Sequence, residues 1–159
     1  MPDKIINILF VCTGNTCRSA MAEGLLRRYI PSEIRKYVQV SSAGSMGDGY
    51  PGTDLAIFAC REVGIDISGH SSRLITEEII QTSDLILTMT RIHKEQVLFI
   101  DPRAHTKTFL IAEYAGLGGG RDVGDPIGGE IDLYRRTRDE LTAYIHKFLP
   151  RITLFCSSK

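Results

Sequence analysis

A mostly apolar run at residues 5–11 leads directly into a polar segment at residues 12–19, and helical periodicity begins near Met21. A short apolar run that ends in bend-forming residues is typical of a buried strand. The helix that follows within a few residues indicates the strand–loop–helix order of parallel α/β sheets. We therefore expect residues 12–19 to lie at the carboxyl end of a buried strand and at the amino end of a helix.

The rest of the chain repeats this alternation. Besides 5–11, strand candidates lie at residues 38–42, 85–89 and 107–110, and helix candidates at residues 17–29, 53–63, 76–81, 91–97, 111–114 and 131–149. The alternation predicts a three-layer α/β fold, with a four-stranded parallel sheet between helices on both faces, in a single domain over residues 1–159. The last helix has the clearest apolar stripe, which begins at Leu133, and Pro150 is expected to end it.

Residues 12–19 have the composition of an anion-binding loop. Backbone N–H groups of a loop that curls around one point face inward, and the helix adds its own free N–H groups and the positive end of its dipole. A dianionic phosphate fits such a site. The same field stabilises a thiolate, so Cys12 is expected to be nucleophilic near neutral pH.

Other side chains of the loop suit the same purpose. Gly14 allows a tight bend, and Arg18 offers a planar fork to two phosphate oxygens. Asn15 and Ser19 can hydrogen-bond to the loop or to the sulfur. A cysteine six residues before an arginine is a weak signal alone, because arginine is common in this chain. The placement between a strand and a helix is what favours a phosphate site.

Composition excludes several classes of function. Lysine plus arginine equals aspartate plus glutamate at 19 each, which gives no sign of a nucleic-acid or membrane surface. The four cysteines form no Cys-x-x-Cys pair, and the four histidines show no metal-ligand spacing. No apolar stretch is long enough to span a bilayer, and the amino-terminal run is too short for a signal peptide. We expect a cytoplasmic protein, a monomer or weak dimer, without metal or cofactor.

The sequence Val-Cys-Thr-Gly-Asn-Thr-Cys-Arg-Ser at residues 11–19 resembles the signature of the low-molecular-weight protein tyrosine phosphatases, and the similarity runs over nearly the whole chain. Ser-Ala-Gly at 42–44, His-Ser-Ser-Arg at 70–73 and Asp-Pro at 125–126 stand where that family has further motifs. The resemblance implies this family's fold, phosphorylated proteins as substrates, Cys12 as nucleophile, Arg18 as phosphate clamp and Asp125 as general acid. It also implies a phosphate-binding loop that includes Thr13, Gly14, Asn15, Thr16, Cys17 and Ser19, with Ser42 and His70 as supports. Ala20 departs from the family, which usually has proline there.

The acidic residues near the second motif have alternative interpretations. Asp125 precedes a proline among glycines, which is also a common turn. A carboxylic acid opposite a thiolate could instead protonate the leaving atom. Asp122 is a weaker rival, which could hold a cationic substrate or cap the turn.

Thr16 is the most informative residue for substrate choice. The loop resembles that of the bacterial protein arginine phosphatases, which have threonine there, whereas tyrosine-directed members usually have an apolar residue. A hydroxyl at the pocket wall favours a polar group over an apolar ring. Threonine and isoleucine are both β-branched, however, and can replace each other in packing. Ile127 stands where the arginine phosphatases have phenylalanine. Because of the threonine at position 16, we favour phosphoarginine as the substrate, and the two counter-arguments keep phosphotyrosine as the alternative.

Three further hypotheses concern the cysteines. Cys17 could trap an oxidised Cys12 as a reversible disulfide. Arsenate reductases of similar fold use further cysteines close to the site, and Cys60 and Cys156 are poorly placed for such a relay. A catalytically silent phosphopeptide-binding module would need neither Cys12 nor Asp125.

Overall fold

The computed structural model describes residues 4–118 and 120–158, so both ends of the predicted domain, 1–3 and 159, lie outside the described residues. The strands are β1 (Ile6–Cys12), β2 (Val38–Gly44), β3 (Leu85–Thr88) and β4 (Thr108–Leu110). The α-helices are α1 (Arg18–Tyr29), α2 (Asp54–Arg61), α3 (Glu77–Thr82), α4 (Arg91–Ile100), α5 (Ile111–Tyr114) and α6 (Ile131–Ser158), and short 3₁₀ helices cover Arg35–Tyr37 and Pro102–Thr106. The single domain over 1–159 stays a prediction.

The four strands form one parallel sheet in the order β2-β1-β3-β4. The chain moves from β1 to β2 on one side and then returns to the other side of β1 for β3. This reversal of direction lies beside β1, and ligands of open parallel sheets bind beyond the strand ends at such a point. The predicted α/β class with a four-stranded parallel sheet is confirmed.

The sheet separates two hydrophobic clusters because side chains of β1 alternate between its faces. Ile6, Ile8 and Phe10 pack with α1 and α6, while Leu9 and Val11 pack with α3 and α4 on the opposite face. Cys12 continues the first set and is itself buried in that cluster. The period of the strand thus directs the thiol towards the face that α1 covers.

Helix α6 does not end at Pro150, as the sequence predicted, but continues to Ser158. Proline removes one helical hydrogen bond, yet Ile152 and Cys156 beyond it are fully buried against the main cluster. Arg151 also donates to the carbonyl oxygen of Tyr114 at 2.8 Å and stacks over its ring at 3.9 Å. Tertiary packing of these residues outweighs the local preference of proline to end a helix.

The apolar stripe of α6 differs by one residue at its start from the predicted one. Leu133 is 40% exposed, whereas Tyr134 is buried in the main cluster. Within the described residues, no helix of this fold is both long and apolar enough to cross a membrane.

We predict that Ile152→Ala lowers the free energy of unfolding by about 2–4 kcal/mol, because a fully buried isoleucine leaves a cavity when it is truncated. Leu154→Ala, two residues away, is the matched control, since Leu154 is 70% exposed and should change stability by less than about 0.5 kcal/mol. Urea unfolding of both variants tests this. Equal, small effects would contradict the packing of α6 beyond Pro150.

Candidate active site

Cys12 ends β1, and its sulfur is surrounded by groups from the following loop. The Asn15 backbone N–H donates to Cys12 Sγ at 3.2 Å, and Ser19 Oγ lies 2.8 Å from the same sulfur. The side chain is buried, and α1 begins six residues later, at Arg18. The sulfur therefore lies close to the amino end of α1, with a backbone N–H of the loop directed at it.

Asn15 determines the shape of the loop. Its backbone is left-handed, with φ of 55°, and its side-chain Nδ2 donates to Ser19 Oγ at 2.8 Å. Its Oδ1 accepts from the backbone N–H of Arg73 at 2.9 Å, and its carbonyl oxygen lies 2.5 Å from His70 Nε2. We expected Gly14 to make the bend, but the left-handed residue is Asn15. Asparagine tolerates this conformation better than most residues because its short amide can bond locally.

The neighbouring strand leaves room for the loop at Gly44. A Cβ on Gly44 would lie 2.5 Å from the carbonyl oxygen of Thr13 and 2.9 Å from the backbone nitrogen of Asn15. The predicted support Ser42 acts less directly. Its hydroxyl donates to Glu23 Oε1 at 2.6 Å, and its carbonyl oxygen accepts from Arg73 Nε at 2.9 Å. Ser42 therefore contacts Arg73, whose backbone N–H bonds to Asn15 of the loop, and its role as a support stays a prediction.

Arg18 and Asp125 face each other across the loop. The Arg18 side chain is buried, and its NH1 donates to the carbonyl oxygen of Val123 at 2.9 Å. Its NH2 lies 3.4 Å from Asp125 Oδ2, while Asp125 itself is 41% exposed. The structure thus brings together a buried cation and a carboxylate that solvent can reach.

A cavity of about 270 Å³ opens above the sulfur. Its described lining comprises Cys12, Thr13, Gly14, Thr16, Cys17, Arg18, Met46, Asp125 and Ile127. The predicted specificity residues Thr16 and Ile127 are both part of its wall. Among the described residues that line it, none is aromatic.

Asp122 lies outside this cavity. Its Oδ1 accepts from the backbone N–H of Arg91 at 2.9 Å, at the start of α4. Of the two roles that the sequence left open, the structure favours capping over contact with a substrate.

Cys17 has partners other than Cys12. Its sulfur lies 3.4 Å from Thr53 Oγ1 and 3.6 Å from the hydroxyl of Tyr134. Tyr134, which the sequence analysis did not single out, thus connects α6 to the loop. A Cys12–Cys17 disulfide stays a prediction.

His93 is the other functional candidate that the sequence analysis missed. It is 3% exposed, and its Nε2 lies 2.8 Å from Thr13 Oγ1. Its Nδ1 accepts from the backbone N–H of Thr90 at 3.2 Å. Burial, aided by the charge of Arg18, lowers the pKa of His93 from 6.5 to about 4. A threonine three residues before a histidine in a helix start was the only local signal of this arrangement.

In the described part of the chain, no three His, Cys, Asp or Glu side chains cluster in a way that could hold a metal ion. The chemical groups brought together around the cavity are a thiol, a guanidinium, loop amides and a carboxylic acid. These groups are typical of enzymes whose cysteine sulfur forms a covalent bond with the central atom of a substrate oxyanion.

Comparison with known proteins specifies this class. Residues 7–154 match the model of the low molecular weight phosphotyrosine protein phosphatases, and the chain belongs to that family. It is 39% identical to a protein-arginine-phosphatase of Bacillus subtilis over 148 residues. This alignment covers 92% of this chain and 97% of the relative. It is 35% identical over 144 residues to an arsenate reductase of Staphylococcus epidermidis, over 91% of this chain and 96% of the relative.

One solved structure is of YwlE arginine phosphatase, a mutant with a phosphorylated active-site serine. It has a TM-score of 0.83 and 38% sequence identity, over 93% of this chain and 96% of that one. The resemblance of residues 11–19 to this family, and of the chain to the bacterial arginine phosphatases, is confirmed.

We predict that Gly44→Ala lowers kcat/KM for an aryl phosphate by roughly tenfold or more, because its Cβ would displace the Thr13–Asn15 backbone. Gly69→Ala is the matched control, since among the described residues no heavy atom other than those of Gly69 and its two chain neighbours lies within 4 Å of the added Cβ. Steady-state kinetics of both variants, with thermal unfolding to verify that they fold, gives the result. Wild-type kinetics in Gly44→Ala would show that the loop does not need this space.

Proposed function

We propose that this chain hydrolyses phosphorylated side chains of proteins through a phosphocysteine on Cys12. The observation that carries the proposal is the pair of Arg18 and Asp125 beside a sulfur that accepts from the loop amide of Asn15. The floor of the cavity offers N–H donors to an oxyanion, and its open side carries an acid. The residues that we propose as nucleophile, anion clamp and proton donor, Cys12, Arg18 and Asp125, all line one cavity.

In the first step, the Cys12 thiolate attacks phosphorus and the bond from phosphorus to the leaving atom breaks. Asp125, in its protonated form, gives its proton to that leaving atom. Arg18 and the loop amides hold the three remaining phosphoryl oxygens as charge moves through them. Because these donors are fixed by Val123, Asn15 and the start of α1, little reorganisation is required.

In the second step, the Asp125 carboxylate takes a proton from water, and the oxygen of that water attacks the phosphorus of phosphocysteine. The sulfur–phosphorus bond breaks, inorganic phosphate leaves and the thiolate is restored. The 2.8 Å contact between Ser19 Oγ and Cys12 Sγ provides a hydrogen bond to the sulfur as it regains its charge.

Phosphoarginine is the substrate that we favour. Its guanidinium group has N–H donors, and the cavity wall offers the Thr16 hydroxyl and the unprotonated oxygen of the Asp125 carboxylic acid as acceptors. An apolar ring would leave these polar groups unpaired. The identity to a protein-arginine-phosphatase supports the same preference. Phosphotyrosine remains the alternative because Met46 and Ile127 give the wall an apolar part.

The cysteines make arsenate reduction the weaker candidate despite the relative of that name. A thiol relay needs thiolates beside the nucleophile. Burial raises the pKa of Cys60 to about 12, and burial also raises the pKa of Cys156. Only Cys17 shares the cavity with Cys12 among the described cysteines. All four thiols are free, which fits the reducing cytoplasm that we infer for this protein.

We expect Cys12→Ser to abolish turnover of aryl phosphates. In Asp125→Asn, the loss of kcat/KM should depend on the leaving group of the substrate. Loss of the acid should lower kcat/KM by about 10²-fold or more for phenyl phosphate, whose leaving group needs a proton. The loss should be clearly smaller for p-nitrophenyl phosphate, which leaves readily as an anion. Steady-state kinetics with the two substrates measures this difference. Equal losses would remove Asp125 from the role of acid, and turnover by Cys12→Ser would remove the phosphocysteine.

Substitutions of Thr16 test the proposed preference for phosphoarginine over phosphotyrosine. We predict that Thr16→Val, which removes the hydroxyl and keeps the shape, lowers the ratio of kcat/KM for phosphoarginine over phosphotyrosine peptides by roughly tenfold. Thr16→Ile should lower it further, and Thr16→Ser should leave it near wild type. A wild type that prefers phosphotyrosine, together with an unchanged ratio in Thr16→Val, would contradict this specificity.

A further inference from the structure

His93 connects the first turn of α4 to Thr13, the residue after the proposed nucleophile. It has no part in the two reaction steps proposed above. Its ring lies between the backbone N–H of Thr90 and the side chain of Thr13, with both ring nitrogens in contact. It is buried, so water competes little for either contact. Both of its polar atoms are thus used inside the protein.

The polarity of these contacts follows from the donors. A backbone N–H can only donate, so His93 Nδ1 accepts from the Thr90 N–H and carries no proton. The Thr90 hydroxyl lies 3.0 Å from the same nitrogen, and because its oxygen accepts from the His93 backbone N–H, its proton can point to Nδ1 as a second donor. The neutral ring then has its proton on Nε2, which donates to Thr13 Oγ1 at 2.8 Å. The lowered pKa of His93 supports the neutral form near pH 7. Arg18 opposes protonation of the ring, while Asp122 and Asp125 favour it.

The start of α4 also holds the segment that carries Asp125. The backbone N–H of Arg91 donates to Asp122 Oδ1, and the carbonyl oxygen of Met89 accepts from the Val123 N–H at 2.8 Å. Val123 in turn accepts from Arg18. Residues 89–93, which we call the α4 turn, therefore contact both Thr13 of the nucleophile loop and residues 122–123, which precede Asp125. His93 supplies its side-chain contact with the nucleophile loop.

We propose that His93 is a positioning residue for the reaction on Cys12. Its hydrogen bond to Thr13 fixes the beginning of the nucleophile loop against the α4 turn, and so fixes the loop amides relative to Asp125. This inference rests on the proposed function. Since preorganised donors matter most where charge develops in the transition state, loss of the bond should lower kcat more than it raises KM.

Four variants of the full-length chain separate this role from simple support of the fold. His93→Gln places an amide N–H near the position of Nε2 and keeps a donor to Thr13, whereas His93→Asn is too short to reach it. Thr13→Val removes the acceptor, and Thr13→Ser keeps it. Kinetics with p-nitrophenyl phosphate and inhibition by vanadate, an oxyanion that mimics the pentacoordinate transition state, are measured together with thermal unfolding.

We expect His93→Asn and Thr13→Val each to lower kcat by roughly 10- to 100-fold, with KM changed less than about threefold. The inhibition constant for vanadate should rise by a similar factor. The double variant should be no worse than the poorer single one, because both remove the same bond. His93→Gln should recover most of the kcat that His93→Asn loses, and Thr13→Ser most of the kcat that Thr13→Val loses, because each restores the hydrogen bond.

Additive losses, or a Thr13→Val variant with wild-type kcat, would overturn the positioning role while the proposed function stands. If His93→Asn does not fold, the comparison of Thr13→Val with Thr13→Ser decides the matter, since both leave His93 in place and only Thr13→Ser keeps the hydroxyl that it bonds. A wild-type chain that turns over neither aryl phosphates nor phosphorylated peptides would overturn the proposed function instead.

Discussion

The left-handed backbone of Asn15 is the constraint on which the candidate site depends. One residue, at φ of 55°, directs its amide to the Cys12 sulfur and its side chain to Ser19 and to the backbone of Arg73. The loop is therefore held from inside by the sulfur and from outside by residues 70–73, which come from the segment after α2. Gly44 of β2 completes the arrangement by offering no Cβ where the loop passes. All of these contacts come from the protein itself, so they preorganise the loop that we propose as the anion site.

Local electrostatics explains how a chain without net charge can hold a dianion. The formal charge is zero at neutral pH, yet the guanidinium of Arg18 is buried beside the loop amides and the start of α1. One carbonyl oxygen and one half-exposed carboxylate contact that cation. A dianionic phosphoryl group brings further oxygens to the same guanidinium, and burial makes such contacts stronger than they are in water.

Local patterns in the sequence predicted those parts of the structure that local forces determine. The predicted strand ends differ from those in the structure by two residues or fewer. A short apolar run forms a buried strand largely because of its own composition, so its position can be predicted locally. Pro150 and Leu133 were misjudged because packing against the rest of the chain, rather than helix propensity, sets how far α6 extends and which face it buries. His93 was missed for a related reason: it meets Thr13 across 80 positions of sequence, and no local period records such a contact.

The floor and the wall of the cavity answer different questions. In the proposed function, the loop amides, Arg18 and the thiol recognise a tetrahedral oxyanion; phosphate and arsenate are alike in that respect, which fits relatives of both names. In the same proposal, the wall selects the group that is attached to the oxyanion, and Thr16, Met46, Ile127 and Asp125 are part of that wall. Reduction of arsenate would in addition need a second reactive thiolate. The raised pKa of Cys60 in α2 keeps that cysteine in its unreactive thiol form near neutral pH. The reaction class therefore follows from the cysteines and the acid, while the substrate follows from a few side chains at the rim.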